Sequence, residues 1–258
     1  MRTSCAILGR EYFRPAARRP EGTEDRRMRT VLVLVFGLML LLGPGAKAEE
    51  KNKLIALTFD DGPNTATTPR VLEVLRENGV PATFFLIGQN INAQSAQVVK
   101  EVMSLGCEIA CHSWSHSHMS GMTAGDIRKD IKRSTAKIKE ITGEDPAFFR
   151  PPYIDVSPLM FDCIGMTFIS GVGCNDWMPE VSAQERIDLV LRGVSDGSII
   201  LMHDSAGNDK TVEAIKTLIP ELKKRGYEFV TVSELFARKG VKPVKGRVYS
   251  NVMQKGDW

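Results

Sequence analysis

From residue 53 to 240 the chain alternates short apolar runs with longer stretches whose apolar side chains recur every three to four positions. The short runs Leu54–Phe59, Ala82–Ile87, Cys107–Cys111, Ala147–Phe149, Met166–Ser170, Ser198–Met202 and Tyr227–Val232 predict strands. The longer stretches Pro69–Asn78, Ala93–Leu105, Ala124–Ile141, Pro158–Ile164, Ala183–Val194 and Thr211–Arg225 predict helices. Gly79, Gly106, Gly143 and Gly226 follow four of them as stop signals, and Ser233 is the expected N-cap of a last helical turn. Strand–helix units with tight connections place the strands parallel and the helices outside. The expected fold is an α/β distorted (β/α) barrel of about seven parallel strands, in one domain over residues 49–240. The tail, 241–258, is basic and aperiodic, and the pattern gives it no role.

Ahead of this domain lies a different kind of segment. Met28-Arg29-Thr30 precedes an apolar run from Val31 to Leu42, then Gly43-Pro44-Gly45 and Ala46-Lys47-Ala48. A charged start, a short apolar core, a helix breaker and an A-x-A site form the layout of a secretory signal peptide over 28–48. The apolar run is shorter than the roughly 17–25 residues that span a bilayer. A secreted or cell-envelope protein with no stable membrane span after cleavage is expected, and a monomer is the default form. Residues 1–27 precede a normal signal start and are left out of the fold reasoning.

The 258 residues carry a net charge of +3, but residues 1–48 hold nine basic and four acidic side chains, so the remainder is −2. A nucleic-acid partner therefore has no electrostatic support. Four cysteines follow the leader, Cys107, Cys111, Cys163 and Cys174, too few for a disulfide scaffold at this length, and free thiols are expected.

Position along the pattern singles out the chemistry. Asp60-Asp61, His112…His116, Arg150, Asp176-Trp177 and His203-Asp204 each begin where a predicted strand ends. In an α/β barrel those ends form one mouth, where active sites lie. Adjacent carboxylates such as Asp60-Asp61 repel unless a cation or proton separates them, although Asp-Gly-Pro is also ordinary turn chemistry. His112 and His116 are four residues apart, the spacing of two ligands on one helical turn. Two histidines and an aspartate leave open positions and suit zinc or another borderline divalent ion in hydrolysis. His118 is the spare histidine, and Cys107 and Cys111 would not converge from a strand. Arg150, entering a rigid Pro151-Pro152 corner, can hold a carboxylate by a bidentate pair, and Asp176 can keep His203 protonated.

Taken together, Thr58-Phe59-Asp60-Asp61-Gly62-Pro63, His112-Ser113-x-x-His116, Arg150-Pro151-Pro152-Tyr153, Asn175-Asp176-Trp177 and Leu201-Met202-His203 resemble the five ordered motifs of the polysaccharide deacetylases. These are the NodB-homology domains of carbohydrate esterase family 4, and the resemblance spans roughly residues 53–240. Residues 175–240 also look like the bacterial acetylxylan-esterase branch. The resemblance implies metal-dependent removal of acetyl groups from glycans, either N-acetyl of peptidoglycan or chitin oligomers or O-acetyl of xylan. By match of motif, Asp61, His112 and His116 hold one divalent ion, zinc first, with cobalt, nickel or manganese as alternatives. Asp60 is then the general base oriented by Arg150, and His203 the general acid tuned by Asp176. The Tyr153 N–H stabilises the oxyanion, and Trp177 and Leu201 line the acetyl pocket. One departure stands out: many relatives carry another Asp three residues before Asp176, where this chain has Gly173. The competing readings are a secreted glycan-binding module with a degenerate site and a phosphate-processing metalloenzyme, which lacks a glycine-rich phosphate loop here. N-terminal sequencing of the exported protein is expected to start at Glu49; a start at Met28 or earlier would rule out cleavage.

Overall fold

The computed structural model describes residues 53–254. The predicted leader and its signal segment lie outside the described residues. Nine strands form one sheet: β1 (Lys53–Asp60), β2 (Thr83–Leu86), β3 (Glu108–Cys111), β4 (Phe148–Phe149), β5 (Thr167–Ile169), β6 (Val172–Gly173), β7 (Ile199–His203), β8 (Tyr227–Phe229) and β9 (Val248–Tyr249). Among the described residues seven α-helices accompany them: α1 (Thr68–Asn78), α2 (Ala96–Ser104), α3 (Ala124–Thr142), α4 (Pro158–Cys163), α5 (Ala183–Gly193), α6 (Asp209–Lys224) and α7 (Val232–Lys239). Every ladder between named strands is parallel. The seven predicted strands are all present, and β6 and β9, two residues each, are additions that the pattern is too short to show.

β1 is the central strand, buried after its first residue. It pairs with β7 along one side, and with β8 and then β2 along the other. The sheet closes through residues 167–173: β5 pairs with β4, and three residues later β6 pairs with β7. Side chains alternate across this wall. Ile55, Leu57 and Phe59 pack outward with the helices, whereas Leu54 and Ala56 join Phe85, Ala110, Phe148 and Ile199 in an inner core. That parity fixes the site. Asp60, His112 and Arg150 continue the inward register of Ala56, Ala110 and Phe148, and His203 that of Ile199, at the strands' C-terminal ends.

The opposite end of the barrel is plugged by α7 and the tail. β9 pairs with β5, Ser170 N–H donates to Tyr249 O (2.9 Å), and Ile199 N–H donates to Ser250 O (2.9 Å). Tyr249 meets Phe236 edge-on at 5.0 Å, and Phe236 stacks on Phe148 at 5.7 Å. Val248, Tyr249 and Val252 of the tail therefore belong to the core, although its lack of periodicity gave it no role. Nearby, Gly197 N–H donates to Leu54 O and Gly197 O accepts from Val252 N–H, at 2.8 and 2.9 Å.

The last helix begins earlier than Ser233. Thr231 is its N-cap, accepting from Glu234 N–H, while Glu234 reaches back to Thr231 N–H in a capping box. This ends β8 at Phe229. The four cysteines among the described residues are free thiols, and burial pushes those of Cys107 and Cys111 up to about 11, which keeps them unreactive. Among the described residues no helix is long and apolar enough to cross a membrane. Truncating buried Tyr249 to Ala is expected to lower stability by about 3 kcal/mol in urea unfolding, as for other buried aromatics; a loss under about 1 kcal/mol would place the tail outside the cooperative unit.

Candidate active site

The strand-end residues surround one cavity of about 480 Å³ at the barrel mouth, lined among others by Asp60, Asp61, His112, His116, Asp176 and His203. On its floor Asp60 is buried against Arg150, whose Nη1 donates to Asp60 Oδ1 at 2.5 Å. The expected two-pronged pair is not formed. Nη2 turns instead to Ser170 O at 2.7 Å, and the guanidinium lies 4.1 Å over the Phe85 ring. Burial works against the charged form of Asp60, yet Arg150, with His112 and His203 beyond, holds its carboxyl below the usual range.

Asp61 follows in a left-handed conformation (φ 75°), which turns its carboxylate toward the two histidines. Asp61 Oδ1 lies 3.6 Å from His112 Nε2 and 3.4 Å from His116 Nε2, and it is buried with no hydrogen-bond donor. An orphaned carboxylate oxygen facing two ring nitrogens fits a divalent cation, and the three form the one such group among the described residues. His112 Nδ1 is bonded to Arg150 O at 2.8 Å, so it carries the proton and leaves Nε2 free for the ion. Burial, and then the neighbouring His112, lower the pKa of His116, which favours the neutral imidazole that a ligand needs.

The two histidines do not share a helical turn. Residues 112–116 form a loop that first runs alongside residues 86–89, with His112 N–H donating to Leu86 O and Gly88 N–H to Ser113 O. Left-handed residues Ser113 and His116 then bend it back, and Ser113 Oγ accepts His116 N–H. Helix α3 holds this loop from behind. Asp130 accepts from Trp114 N–H (2.7 Å) and Ser115 Oγ (3.2 Å), and Ser134 Oγ donates to Ser113 O (2.9 Å). Sequence spacing offered no sign of these supports. His118 stays apart from the ligand group, stacked on Tyr153 at 3.9 Å and beside Asp155.

Across the cavity, His203 Nδ1 is 2.8 Å from Asp176 Oδ1, and Asp176 Oδ2 accepts from His203 N–H (2.7 Å) and Thr211 Oγ1 (2.8 Å). Burial would press the His203 pKa down, but the hydrogen bond and charge of Asp176, then Asp60 and Asp61, push it up to about 9. Gly173 contributes no side chain here; Thr211 takes part in holding Asp176 instead. Asp204, the next residue, is fully buried beneath the Asp60–Pro63 turn, where a Cβ on Gly62 would stand 2.7 Å from its carboxylate. Burial, with Asp61 and Asp60 nearby, pushes its pKa up to about 7 against the Thr68 hydrogen bond. Leu201 and Trp177 both line the cavity, but Trp177 is 66% exposed and Tyr153 59%, more open than a closed methyl pocket requires.

The comparisons with known proteins agree with one another. Residues 47–163 match the family model described as polysaccharide deacetylase. A bifunctional xylanase/deacetylase of Pseudobutyrivibrio xylanivorans is 50% identical over 86% of this chain and 37% of its own length. A peptidoglycan-N-acetylglucosamine deacetylase of Bacillus cereus is 36% identical over 72% of this chain and 90% of its own. The structure of a family 4 acetyl xylan esterase from Clostridium thermocellum, in complex with a cobalt ion, superposes with a TM-score of 0.76 at 45% identity. That match covers 78% of this chain and 100% of the esterase. This chain spans 37–41% of the length of the first curated relatives it matches. The motifs, the barrel and these relatives lead to one conclusion: the chain belongs to the polysaccharide deacetylases of carbohydrate esterase family 4, hydrolases that act on the acetyl groups of glycans.

Proposed function

We propose that this protein is a metal-dependent deacetylase exported to the cell envelope or beyond, hydrolysing O-acetyl groups of xylan. The observation that carries the catalytic reading is a paired arrangement in one cavity. Asp60, its pKa lowered beside Arg150, and His203, its pKa raised by Asp176, occupy paired positions of β1 and β7, with the Asp61–His112–His116 group beside them. The xylan assignment rests on the greater identity to the xylanase/deacetylase and the acetyl xylan esterase than to the peptidoglycan deacetylase. A second reading, N-acetyl groups of peptidoglycan or chitin oligomers, is favoured by His203 itself, because an amide nitrogen leaves poorly unless protonated.

Asp61, His112 and His116 would hold a divalent ion, zinc by the donor set, which when bound would supply Lewis acidity for the hydrolysis. The protein's own groups move the protons. Asp60 Oδ1 is tied to Arg150, so Oδ2 takes the proton of water as its oxygen bonds to the acetyl carbon. The Tyr153 N–H is the donor assigned to the developing oxyanion. His203 Nδ1 is engaged by Asp176, so Nε2 delivers its proton to the departing sugar oxygen or nitrogen as the acyl bond breaks. The products are acetate and the free hydroxyl or amine.

Acetate release by the exported chain should be greatest on acetylated xylan, abolished by a chelator and restored by zinc or cobalt. Release from peptidoglycan or chitin oligomers alone would select the second reading, and no release from any glycan would overturn both. Asp60→Asn and His203→Ala should each lower kcat by about 100-fold or more while metal content is unchanged; near-normal rates in either would refute its role. The sign of the pH dependence follows from His203, which is active as an acid only when protonated. Its raised pKa predicts a kcat that is level near neutrality and falls as pH rises through about 9; a fall already complete by pH 7 would contradict the assignment of His203.

A further inference from the structure

Arg186 stands on α5, outside the catalytic cavity, yet it is 1% exposed. A guanidinium buried without a carboxylate partner is costly, and among the described residues no acidic side chain forms an ion pair with it. Its donors go to four neutral acceptors. Nε reaches Val181 O at 3.1 Å and Nη2 reaches Met178 O at 3.3 Å, clamping the segment that follows Asp176-Trp177. Nη1 reaches Asn208 Oδ1 at 2.6 Å and Thr211 Oγ1 at 2.9 Å.

The last two contacts set the polarity of a network. A guanidinium has donors only. Thr211 Oγ1 must therefore accept from Arg186, and its single proton is left for Asp176 Oδ2 at 2.8 Å. Asn208 is fixed in the same way. Its amide oxygen faces Arg186, so its NH₂ donates to Asp176 O at 3.2 Å and to His203 O at 3.1 Å. Both arms end on the Asp176–His203 pair. Asp176 Oδ2 thus receives Thr211 on one side and His203 N–H on the other, which leaves Oδ1 aimed at His203 Nδ1.

We infer that Arg186 is a positioning residue for the general acid: its buried guanidinium, acting through Thr211 and Asn208, holds Asp176 in the orientation that presents His203 to the leaving group. The inference rests on the deacetylase reading above. It assigns to α5 and α6 the support that Gly173, lacking a side chain, does not give. It also explains why a cation is buried where no anion touches it: the carboxylate that it serves is one hydroxyl away. Conserving charge alone would not suffice, because a lysine ammonium cannot span four acceptors in the plane of a guanidinium.

The test uses the full chain with Arg186→Lys, and with Thr211→Val and Thr211→Ser, which keep Arg186 and the shape of the site. Each variant is assayed on the acetylated glycan that the parent turns over and on 4-nitrophenyl acetate, whose phenolate departs without a proton. Arg186→Lys and Thr211→Val are expected to lower kcat on the glycan by about tenfold, with the aryl ester within about twofold and Thr211→Ser close to the parent. Equal losses on both substrates, or no loss on the glycan, would overturn the inference. The His203 Nδ1–H proton resonance gives a readout independent of turnover, and it should shift upfield in Thr211→Val. An unchanged resonance would also overturn the inference. A parent that deacetylates no glycan, with the resonance shifted as expected, would overturn only the deacetylase reading.

Discussion

The ion pair between Asp60 and Arg150 is the constraint on which the mouth of the barrel depends. Both side chains are buried, so each charge is tolerable only with the other in place, and losing one partner of such a pair costs about 3–5 kcal/mol. Arg150 does more than neutralise Asp60. Nη2 ties β4 to the closing segment at Ser170, and its backbone carbonyl fixes the tautomer of His112. The charge of Asp60, the closure of the sheet and the tautomer of His112 thus share one residue. That residue is immobilised between a carboxylate, a carbonyl and the face of Phe85.

Around this fixed point the connecting loops carry strain. Asp61, Ser113, His116, Tyr153, Ile154 and Asn175 have positive φ without being glycine, and all six lie on loops at the mouth. Such conformations cost of order 1–3 kcal/mol each and persist only where the surroundings over-determine them. Here the over-determination is visible: Asp130 and Ser134 grip the histidine loop, and Asp204 packs under Gly62 at a distance that allows no side chain there. The barrel walls, with apolar residues on both faces, provide the stability that this strained rim draws on.

Much of this was legible in the sequence because Asp60, His112, Arg150 and His203 each stand where a short apolar run ends, and the C-terminal ends of parallel strands meet at one mouth, where the structure keeps all four. Less legible were features set by long-range contacts. The four-residue spacing of His112 and His116 imitates a helical turn, but pairing with residues 86–89 draws the segment into a loop. Thr231 outcompetes Ser233 as a cap because Glu234 lies three residues beyond it. β9 is two residues long, too short for a period, and Tyr249 declares its place only by packing on Phe236. Arg186 and Thr211 read as ordinary helix residues until α5 and α6 are laid side by side.

Gly197 ties together the two ends of the described residues. It accepts Val252 and donates to Leu54, so the chain enters and leaves the barrel at neighbouring points on its floor, away from the catalytic mouth. A module fused at either end would attach at the same pole. Neither attachment would cross the mouth that Asp60 and His203 line.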